Sequence, residues 1–482
     1  MNIISLPSLL KLSAVGALAI VVVGGCVSRP QYSCTDNSQC VDENGNDGIC
    51  EMNSLCSFPV TDPKACPDTG RIYPDGAGSL AGKCVDKPAC TNPVTYLDLG
   101  FEHSCVIRTD GAVYCWGQND KGELGDGTTT SRSAPTKVVG LPGPAKDLSS
   151  GEEQTCAVVA DGTVWCWGDN ATLGLGQCNG TAIPNSTAPV QVKSFTYDPS
   201  TKQFTCGAPL ANIKNIEVGG KHACAIDAQQ NVYCWGENSH GQCGLPTADA
   251  DDVPGPVPVA GLDGTTTIGA GDDFSCARKD DGTVRCWGSN QVGSLGDGTG
   301  SSTAPDNPTP AQVAGILSAG GDAADFGMDD ETGCVRTTDG SLYCWGDAST
   351  GIFGVPGAPQ ASPVRLMSVS AVFGGGSAKH LCVIDSFGNL ACWGANLKGQ
   401  SGTGSTDPTV NLPAADSNGN VALATSHLVT VTAASLGEEH SCALTRDGAL
   451  WCWGDNSQGE LGIGAQTNTP VLTPSRVTVP CN

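Results

Sequence analysis

A cysteine hairpin that occurs seven times constrains this chain more than any other feature of its sequence. In the first copy Cys105 and Cys115 are ten residues apart, and Trp116-Gly117 follows at once. The other six pairs, each also followed by Trp-Gly, are Cys156 with Cys166, Cys224 with Cys234, Cys276 with Cys286, Cys334 with Cys344, Cys382 with Cys392, and Cys442 with Cys452. A strand-like unit that recurs at intervals of about 50 residues is typical of a propeller or a solenoid array.

The turn between the two cysteines predicts how they pair. Five copies place Asp-Gly midway between them, as in Thr109-Asp110-Gly111. Glycine accepts the left-handed conformation that such a hairpin turn requires, and this register sets the two cysteines opposite each other. Facing residues on antiparallel strands lie about 4.5–5.5 Å apart, a distance that a disulfide can span. We therefore predict seven disulfides, one within each hairpin.

The amino-acid composition argues against a helical protein and against a nucleic-acid-binding protein. Only 15% of the residues are charged, whereas glycine and proline number 65 and 30, so dense turns are favoured over long helices. The net charge is −25 and the sequence pI is about 4.4. No basic stripe is present to neutralise phosphates, which argues against nucleic acid as a partner. We interpret the acidity as a solvated surface, the alternative being a specific role in cation binding.

The N-terminus predicts export. Lys11 precedes a twelve-residue apolar run from Leu12 to Val23, which is too short for a permanent membrane span. The sequence Val23-Gly24-Gly25-Cys26 resembles the lipobox of bacterial lipoproteins. The resemblance implies that residues 1–25 are a signal peptide, that Cys26 carries the lipid, and that the protein lies in the bacterial cell envelope, at the outer membrane or cell surface. An ordinary secretory signal, with Cys26 in a disulfide, is the alternative.

Residues 26–92 are predicted to form a small cysteine-rich spacer module. The block has few apolar residues, so its fold depends on disulfides. Cys34, Cys40, Cys50 and Cys56 admit three pairings, among which the sequence does not choose. Cys66 and Cys84 are expected to pair with each other. The total of 26 cysteines indicates an oxidising compartment.

Residues 93–482 are predicted to be all-β. In the second unit a β-branched run (Thr136 to Val139) precedes a second strand (Lys146 to Ser149) and the two arms of the cysteine hairpin. Four strands in each of seven units predict a seven-bladed β-propeller. The first unit lacks its leading strand, and a solitary strand, Ser475 to Val479, ends the chain. We therefore predict that this C-terminal strand closes the first blade.

The remaining cysteines are assigned on the same scheme. Closure of the first blade by the C-terminal strand would bring Cys90 near Cys481, and we predict a disulfide between them. Cys178 and Cys206 flank the insertion in the second unit and are expected to staple it. Cys243 stands where other units have leucine, so we interpret it as a buried free thiol rather than a reactive nucleophile.

Several submotifs resemble a known family. Gly-x-x-His-Ser-Cys, Asp-Gly-x-Val-Tyr-Cys-Trp-Gly-x-Asn and Gly-x-Leu-Gly look like the regulator-of-chromosome-condensation repeat, over roughly residues 94 to 482. The resemblance implies a seven-bladed β-propeller, and the cysteines at both hairpin ends resemble those of secreted bacterial members. It implies binding to another protein, as for secreted propellers of this family that inhibit enzymes. Nucleotide exchange on a GTPase, the founding activity of the family, is a lower-ranked alternative.

The residues with reactive side chains are predicted to have structural roles. His103, His222, His380 and His440 each stand two residues before a hairpin cysteine, and we favour hydrogen bonding within a blade over metal binding. Loop carboxylates, which could otherwise form a glycosidase pair, are interpreted as solvated; they are Asp272, Asp273, Asp329, Asp330 and Glu331. The tryptophan after each hairpin is expected to pack between blades. Trp165 and Trp451, at the tyrosine position of their hairpins, are the candidates for exposed aromatics.

The function predicted from these patterns is non-catalytic binding of a protein by an envelope-anchored propeller, without cofactor or metal. The irregular connections, which are expected to form the binding surface if they share one face, are Gln177 to Gly207, Thr247 to Gly261, Leu317 to Thr332 and Gly402 to Leu428. Binding of envelope polysaccharide is the alternative from a different class, and hydrolase activity ranks lower.

Overall fold

The computed structural model describes residues 49–50, 56–59, 71–72, 93–177, 184–300, 305–316, 322–354, 357–376, 378–385, 388–410, 428 and 430–480. The chain divides into two compact units, Met1–Cys90 and Thr91–Asn482. In the first unit, three short antiparallel strands pair in order: Ile49–Cys50, Cys56–Pro59 and Arg71–Ile72. The backbone register sets Cys50 opposite Cys56. Cys26, Cys34, Cys40, Cys66, Cys84 and Cys90 lie outside the described residues.

The second unit contains seven four-stranded antiparallel sheets, here called blades 1 to 7, and each sheet is built from four consecutive strands apart from one inserted hairpin. The strands of blades 1 to 4 are Val94–Leu99, His103–Arg108, Val113–Gly117, Arg132–Lys137; Ala145–Ser150, Gln154–Val159, Val164–Gly168, Ser186–Gln191; Ile213–Val218, His222–Asp227, Val232–Glu237, Asp252–Pro258; and Thr265–Ala270, Phe274–Lys279, Val284–Gly288, Asn307–Gln312. The strands of blades 5 to 7 are Ala323–Met328, Thr332–Thr337, Ser341–Gly346, Gln360–Ser368; Ala371–Phe373, His380–Ile384, Leu390–Ala395, Thr409–Val410; and Val431–Leu436, His440–Thr445, Leu450–Asn456, Thr467–Val477. The all-β seven-bladed propeller predicted from the repeat is confirmed.

Each cysteine pair lies in direct register on the second and third strands of its blade, as Cys105 does opposite Cys115. The turn explains this register, because Gly111 has φ of 75° and brings the two arms back without a residue of offset. All seven pairs are disulfide-bonded, with Cα–Cα distances of 4.1 to 4.2 Å. Besides the bond in blade 1, the bonds join Cys156 to Cys166, Cys224 to Cys234, Cys276 to Cys286, Cys334 to Cys344, Cys382 to Cys392, and Cys442 to Cys452. They lie in the blade cores, since the cysteines are at most 2% exposed.

The order of strands corrects one prediction. The segment Arg132–Lys137, which contains the beginning of the run assigned to the start of the second unit, is the outer strand of blade 1 and pairs with Val113–Gly117. The strand Thr467–Val477 likewise pairs with the last hairpin, with Val477 opposite Leu450. The prediction that the C-terminal strand closes the first blade is therefore wrong. A strand that follows its hairpin pairs locally, because closing a short loop costs less entropy than closing a ring.

Prolines mark the outer strands, including Pro135 in blade 1 and Pro189 in blade 2. The pairing register shifts beside them, between Cys115 and Gly117 in the first case. A proline lacks the N–H that would extend the sheet, so it suits an edge strand. The outer edges are thereby protected against pairing with another chain.

Side chains and loops close the ring between blade 7 and blade 1. Trp116 of blade 1 is fully buried and donates from Nε1 to the carbonyl oxygen of Glu460 in blade 7, at 2.7 Å. The N–H of Leu99 donates to Ser435 Oγ at 3.0 Å. Leu97 and Leu99 pack in one cluster with Leu450, Leu461 and Val477. The last blade therefore meets the first through the kinds of contact that join consecutive blades.

The insertion in blade 2 forms a separate hairpin of two strands, Lys193–Asp198 and Gln203–Pro209. It packs against the outer strand of blade 3, and Lys202 Nζ lies 2.9 Å from Asp249 Oδ1. Cys206 in this hairpin is disulfide-bonded. Cys178, its predicted partner, lies outside the described residues, as does Cys481. The pairings of Cys178 with Cys206 and of Cys90 with Cys481 thus remain predictions.

The central axis is crowded by a glycine segment of blade 6, Gly374 to Gly376. A Cβ atom at Gly376 would lie 3.2 Å from the carbonyl oxygen of Val218 in blade 3 and 3.4 Å from that of Ala270 in blade 4. At Gly374 and Gly375 a Cβ atom would lie only 2.3 Å from Met328 O and 1.8 Å from Leu436 O, so these two positions require glycine. The segment therefore reaches from one side of the ring to the other at this level of the axis.

Candidate functional site: the acidic end of the ring

Two sets of loops form one end of the ring. The first set, here called the mouth loops, joins the first and second strands of each blade and surrounds the axis. The second set follows the Trp-Gly pairs and joins the third and fourth strands. Backbone bonds tie the two sets together, as from Gln118 N to Glu102 O at 2.9 Å and from Asp169 N to Glu153 O at 2.8 Å. The hairpin turns and the connections between blades lie at the opposite end.

The mouth loops are strongly acidic. Their charged residues are Glu102, Glu152, Glu153, Lys221, Asp272, Asp273, Asp329, Asp330, Glu331, Lys379, Glu438 and Glu439. Ten acids and two lysines give a formal charge of −10 + 2 = −8. Asp169, Glu237, Asp347 and Asp455 add four more acids in the residue that follows Trp-Gly. The fold thus gathers at one end carboxylates that are far apart in the sequence.

Three lysines at this end are engaged between neighbouring blades, and Lys121 pairs with Asp120 of its own loop at 3.5 Å. Lys221 Nζ lies 3.0 Å from Glu152 Oε2, and Lys379 Nζ lies 3.5 Å from Asp330 Oδ2. Lys398, in the loop after Trp393, lies 2.8 Å from Glu439 Oε2 and 3.1 Å from Asp455 Oδ1. These ion pairs link blades 2 and 3, 5 and 6, and 6 and 7. Among the described residues, no ion pair engages Glu102, Glu153 or Glu331.

Burial and mutual repulsion raise the pKa values of several acids in the mouth loops. Burial, followed by repulsion from Asp330, raises the pKa of Glu331 to about 7. The pKa of Asp272 is raised to about 7 by burial and then by Asp273. Glu438 also has its pKa raised to about 7, by burial and then by Glu439. The folded protein therefore holds negative charge at this end at an energetic cost.

Glu331→Gln is expected to raise the free energy of unfolding by about 1 kcal/mol at pH 8, a value reduced from full burial because the carboxyl group is partly exposed. The folded-state pKa of about 7 lies above the ordinary 4.5, so the penalty is fully present above pH 7 and disappears as the pH falls below 4.5. Urea unfolding of both proteins at pH 8 and pH 4 measures the difference. The matched control is Asp322→Asn, at an exposed position of the opposite end. An equal gain at both pH values would contradict this explanation.

The four histidines are structural, but their bonds cross between blades rather than lie within one. His440 Nε2 lies 2.9 Å from Ser104 Oγ, and that hydroxyl donates its only proton to Glu460 O at 2.9 Å. The ring therefore donates from Nε2, and it is neutral at pH 7 because burial lowers the pKa of His440 to about 3. His103, His222 and His380 make the same bond to Thr155, Ser275 and Ser441.

A sequence signal could have revealed this pairing. Wherever a unit has histidine, the next unit has serine or threonine directly before its first cysteine. Gln154, Phe274 and Thr332 replace histidine, and the residues that follow them one blade on are Ala223, Gly333 and Leu381. The signal was missed because the two members belong to different units.

The other predicted site residues occupy separate places. Asp329 is buried in a mouth loop, whereas Asp272, Asp273, Asp330 and Glu331 are partly exposed there. In the described residues, no three His, Cys, Asp or Glu side chains are placed to hold a metal ion. Cys243 is a buried free thiol, and burial raises its pKa well above the usual value.

Neither candidate for an exposed aromatic is freely exposed. Trp165 is partly buried and donates to Thr163 Oγ1 at 3.0 Å, and Trp451 packs partly buried against the cluster that contains Trp453. The seven tryptophans after the hairpins are fully buried, in accord with packing between blades. Parts of two irregular connections meet at the acidic end: Thr247 to Asp251 lies in the loop after Trp235, and Lys202, at the turn of the inserted hairpin, lies 2.9 Å from Asp249 Oδ1. Residues 178–183, 317–321 and 411–427 of the four connections lie outside the described residues, so a face shared by all four stays a prediction.

The closed ring of seven sheets, with its repeated contacts between blades, defines a seven-bladed β-propeller built from tandem repeats. Two family models described as the regulator of chromosome condensation (RCC1) repeat match residues 110–158, 230–278 and 447–481, and residues 94–123, 145–176, 213–242, 266–294 and 431–460. The chain is therefore a seven-bladed propeller that carries RCC1-type repeats.

Similarity to known proteins covers most of the chain. The Ultraviolet-B receptor UVR8 of Arabidopsis thaliana is 27% identical over 382 residues, which are 77% of this chain and 79% of the receptor. The E3 ubiquitin-protein ligase HERC2 of Homo sapiens is 26% identical over 73% of this chain, but the match spans only 7% of the ligase. The crystal structure of human WBSCR16 shares the fold, with a TM-score of 0.60, 20% identity, and coverage of 77% of this chain and 95% of that one.

Proposed function

We propose that this propeller is a non-catalytic binding protein of the bacterial cell envelope, anchored by a lipid on Cys26, and that it binds another protein through the acidic end of its ring. The lipobox-like sequence before Cys26 supports the location. Among the described residues, no helix has the length and hydropathy to cross a membrane.

The binding function is inferred from a difference between two parts of the ring: the blades repeat the same buried residues, whereas the loops of the acidic end vary and are partly exposed. Residues that recur in every blade are buried and hold the blades together, as Trp116 and Trp167 do. The mouth loops instead differ from blade to blade and are partly exposed, as in Glu102, Lys221 and Asp273. Variable loops on a rigid support are the usual place for recognition.

Site-specific photocrosslinking tests this function in the native envelope. A photoreactive aromatic residue replaces Leu397, which is 63% exposed at the acidic end, or Ala160 in a hairpin turn of the opposite end as the matched control. We expect one discrete protein adduct from position 397 and none from position 160. Adducts from position 160 alone, or no protein adduct from either position, would reject the acidic end as the binding surface.

A further inference from the structure

We propose that the partner of the acidic end presents an extended, lysine- and arginine-rich segment, which lies across the mouth loops. This inference rests on the proposed function and specifies the chemistry of the partner. It follows from three features of the described residues: the excess of carboxylates, the buried carboxylate oxygens without hydrogen bonds, and the spacing of the acids around the axis.

The first feature is a set of carboxylates that have no cationic partner among the described residues. The lysines of this end are each within 3.5 Å of a carboxylate and are therefore already used; they are Lys121, Lys221, Lys379 and Lys398. No ion pair engages Glu102, Glu153 or Glu331 in the described part of the chain, and all three pKa values are raised, chiefly by burial. A basic segment would supply cations without displacing an existing pair.

The second feature is a pair of buried carboxylates that lack a partner. Asp329 is 2% exposed, and its Oδ1 accepts from Thr332 N at 3.1 Å. Its Oδ2 has no hydrogen-bond partner among the described residues and lies within electrostatic reach of Asp330 and Asp347. Glu123 is fully buried near Asp120, and its Oε1 is also without a partner. The other oxygen of Glu123 accepts from Lys121 N at 2.9 Å. Buried carboxyl groups with an oxygen left unpaired are uncommon, and both of these lie in loops of the acidic end.

The third feature, the spacing of the acids, favours an extended ligand over a single ion. The unpaired acids belong to different blades, Glu102 to blade 1, Glu153 to blade 2 and Glu331 to blade 5. In the described residues no group of three is close enough to coordinate a metal ion. A flexible chain with several cationic side chains can reach separate carboxylates at once, which a single ion does not.

Salt and charge set how such a complex behaves. At ordinary ionic strength the Debye length, over which salt screens exposed charges, is about 8–10 Å. The complex is therefore expected to weaken strongly as the salt concentration rises. Arginine is expected to exceed lysine in affinity, because its planar guanidinium bonds a carboxylate through two N–H groups.

Binding of a fluorescent nona-lysine peptide to the full-length protein tests the proposal by fluorescence anisotropy. The triple variant Glu102→Gln, Glu153→Gln, Glu331→Gln is expected to weaken binding about tenfold, the loss of roughly 1.4 kcal/mol. The matched control removes three exposed carboxylates from the opposite end, through Asp263→Asn, Asp280→Asn and Asp322→Asn. This control changes the net charge by the same amount and is expected to alter the affinity less than about twofold.

The outcomes separate local recognition from bulk attraction. Equal weakening by the two triple variants would show attraction to net charge and would overturn the proposal, as would the absence of nona-lysine binding at about 150 mM salt. Both variants should unfold at or above the wild-type denaturant midpoint, so lost binding cannot arise from lost folding. A further outcome is that the crosslinked protein adduct at position 397 persists after Glu102, Glu153 and Glu331 are changed to glutamine. That result would contradict a basic partner but not the proposed function.

Discussion

Trp116→Ala is expected to lower the free energy of unfolding by about 3–5 kcal/mol. The indole is fully buried, so its removal leaves a cavity between blade 1 and blade 7. It also removes the hydrogen bond from Nε1 to Glu460 O, which is 2.7 Å long. Gly462 lies against the indole of Trp116. A larger side chain at this position could not fill the cavity without backbone strain, because φ of Gly462 is 66°. The midpoint of urea or guanidinium unfolding measures the loss.

Two further variants locate the origin of this effect. Trp453→Ala removes the equivalent bond to Gln400 O, of 2.8 Å, between blades 7 and 6, which are consecutive in the chain. Because the ring closes through the same contacts that join consecutive blades, its cost should match that of Trp116→Ala. Trp165→Ala deletes a partly buried indole and should cost about 1 kcal/mol or less. A cost for Trp116→Ala near that of Trp165→Ala would mean that blades 1 and 7 are not packed as described.

Removal of one hairpin disulfide, through Cys442→Ala with Cys452→Ala, is expected to cost about 3 kcal/mol. The bond closes a loop with a sequence separation of 10, and its removal gives the unfolded chain more freedom. Seven such bonds would together contribute about 20 kcal/mol, more than the 5–15 kcal/mol net stability of ordinary domains. The fully reduced chain is therefore expected not to refold. Circular dichroism after denaturation, with and without reductant, measures this.

Cys243→Ala is the matched control for the disulfide variant, since Cys243 is buried but unbonded. Its cost is expected to be about 1 kcal/mol, without a change in the refolding of the reduced protein. Peptide mapping of the unreduced, unfolded protein should alkylate Cys243 and none of the fourteen hairpin cysteines. Recovery of native circular dichroism under reducing conditions would contradict a fold that depends on these bonds.

Local patterns were sufficient for the hairpins. The Asp-Gly turn, the two cysteines and the tryptophan lie within twelve residues, as from Cys105 to Trp116. Their register follows from turn geometry and strand periodicity alone. The same holds for the buried state of Cys243, which replaces a leucine of the repeat. The seven blades were accordingly predictable before any coordinates.

The bonds between blades were not predictable from one unit. His103 and Thr155 are separated by 52 residues, and a repeat alignment places them in different columns and different copies. The acidic end has the same difficulty, because Glu102 and Glu439 each look like an ordinary solvated residue in their own unit. Only the closed ring brings such residues to one end.

The amino-acid order alone established the period, the hairpins and the number of blades, because these depend on contacts within about a dozen residues. It left open where each blade begins, since a cyclic repeat has a period but no marked starting point. Tertiary packing settled that question by pairing Thr467–Val477 with its own hairpin and by joining blade 7 to blade 1 through Trp116 and Ser104. The physical reason is that a pairing between strands is local, whereas the ring and its acidic end exist only when distant blades meet.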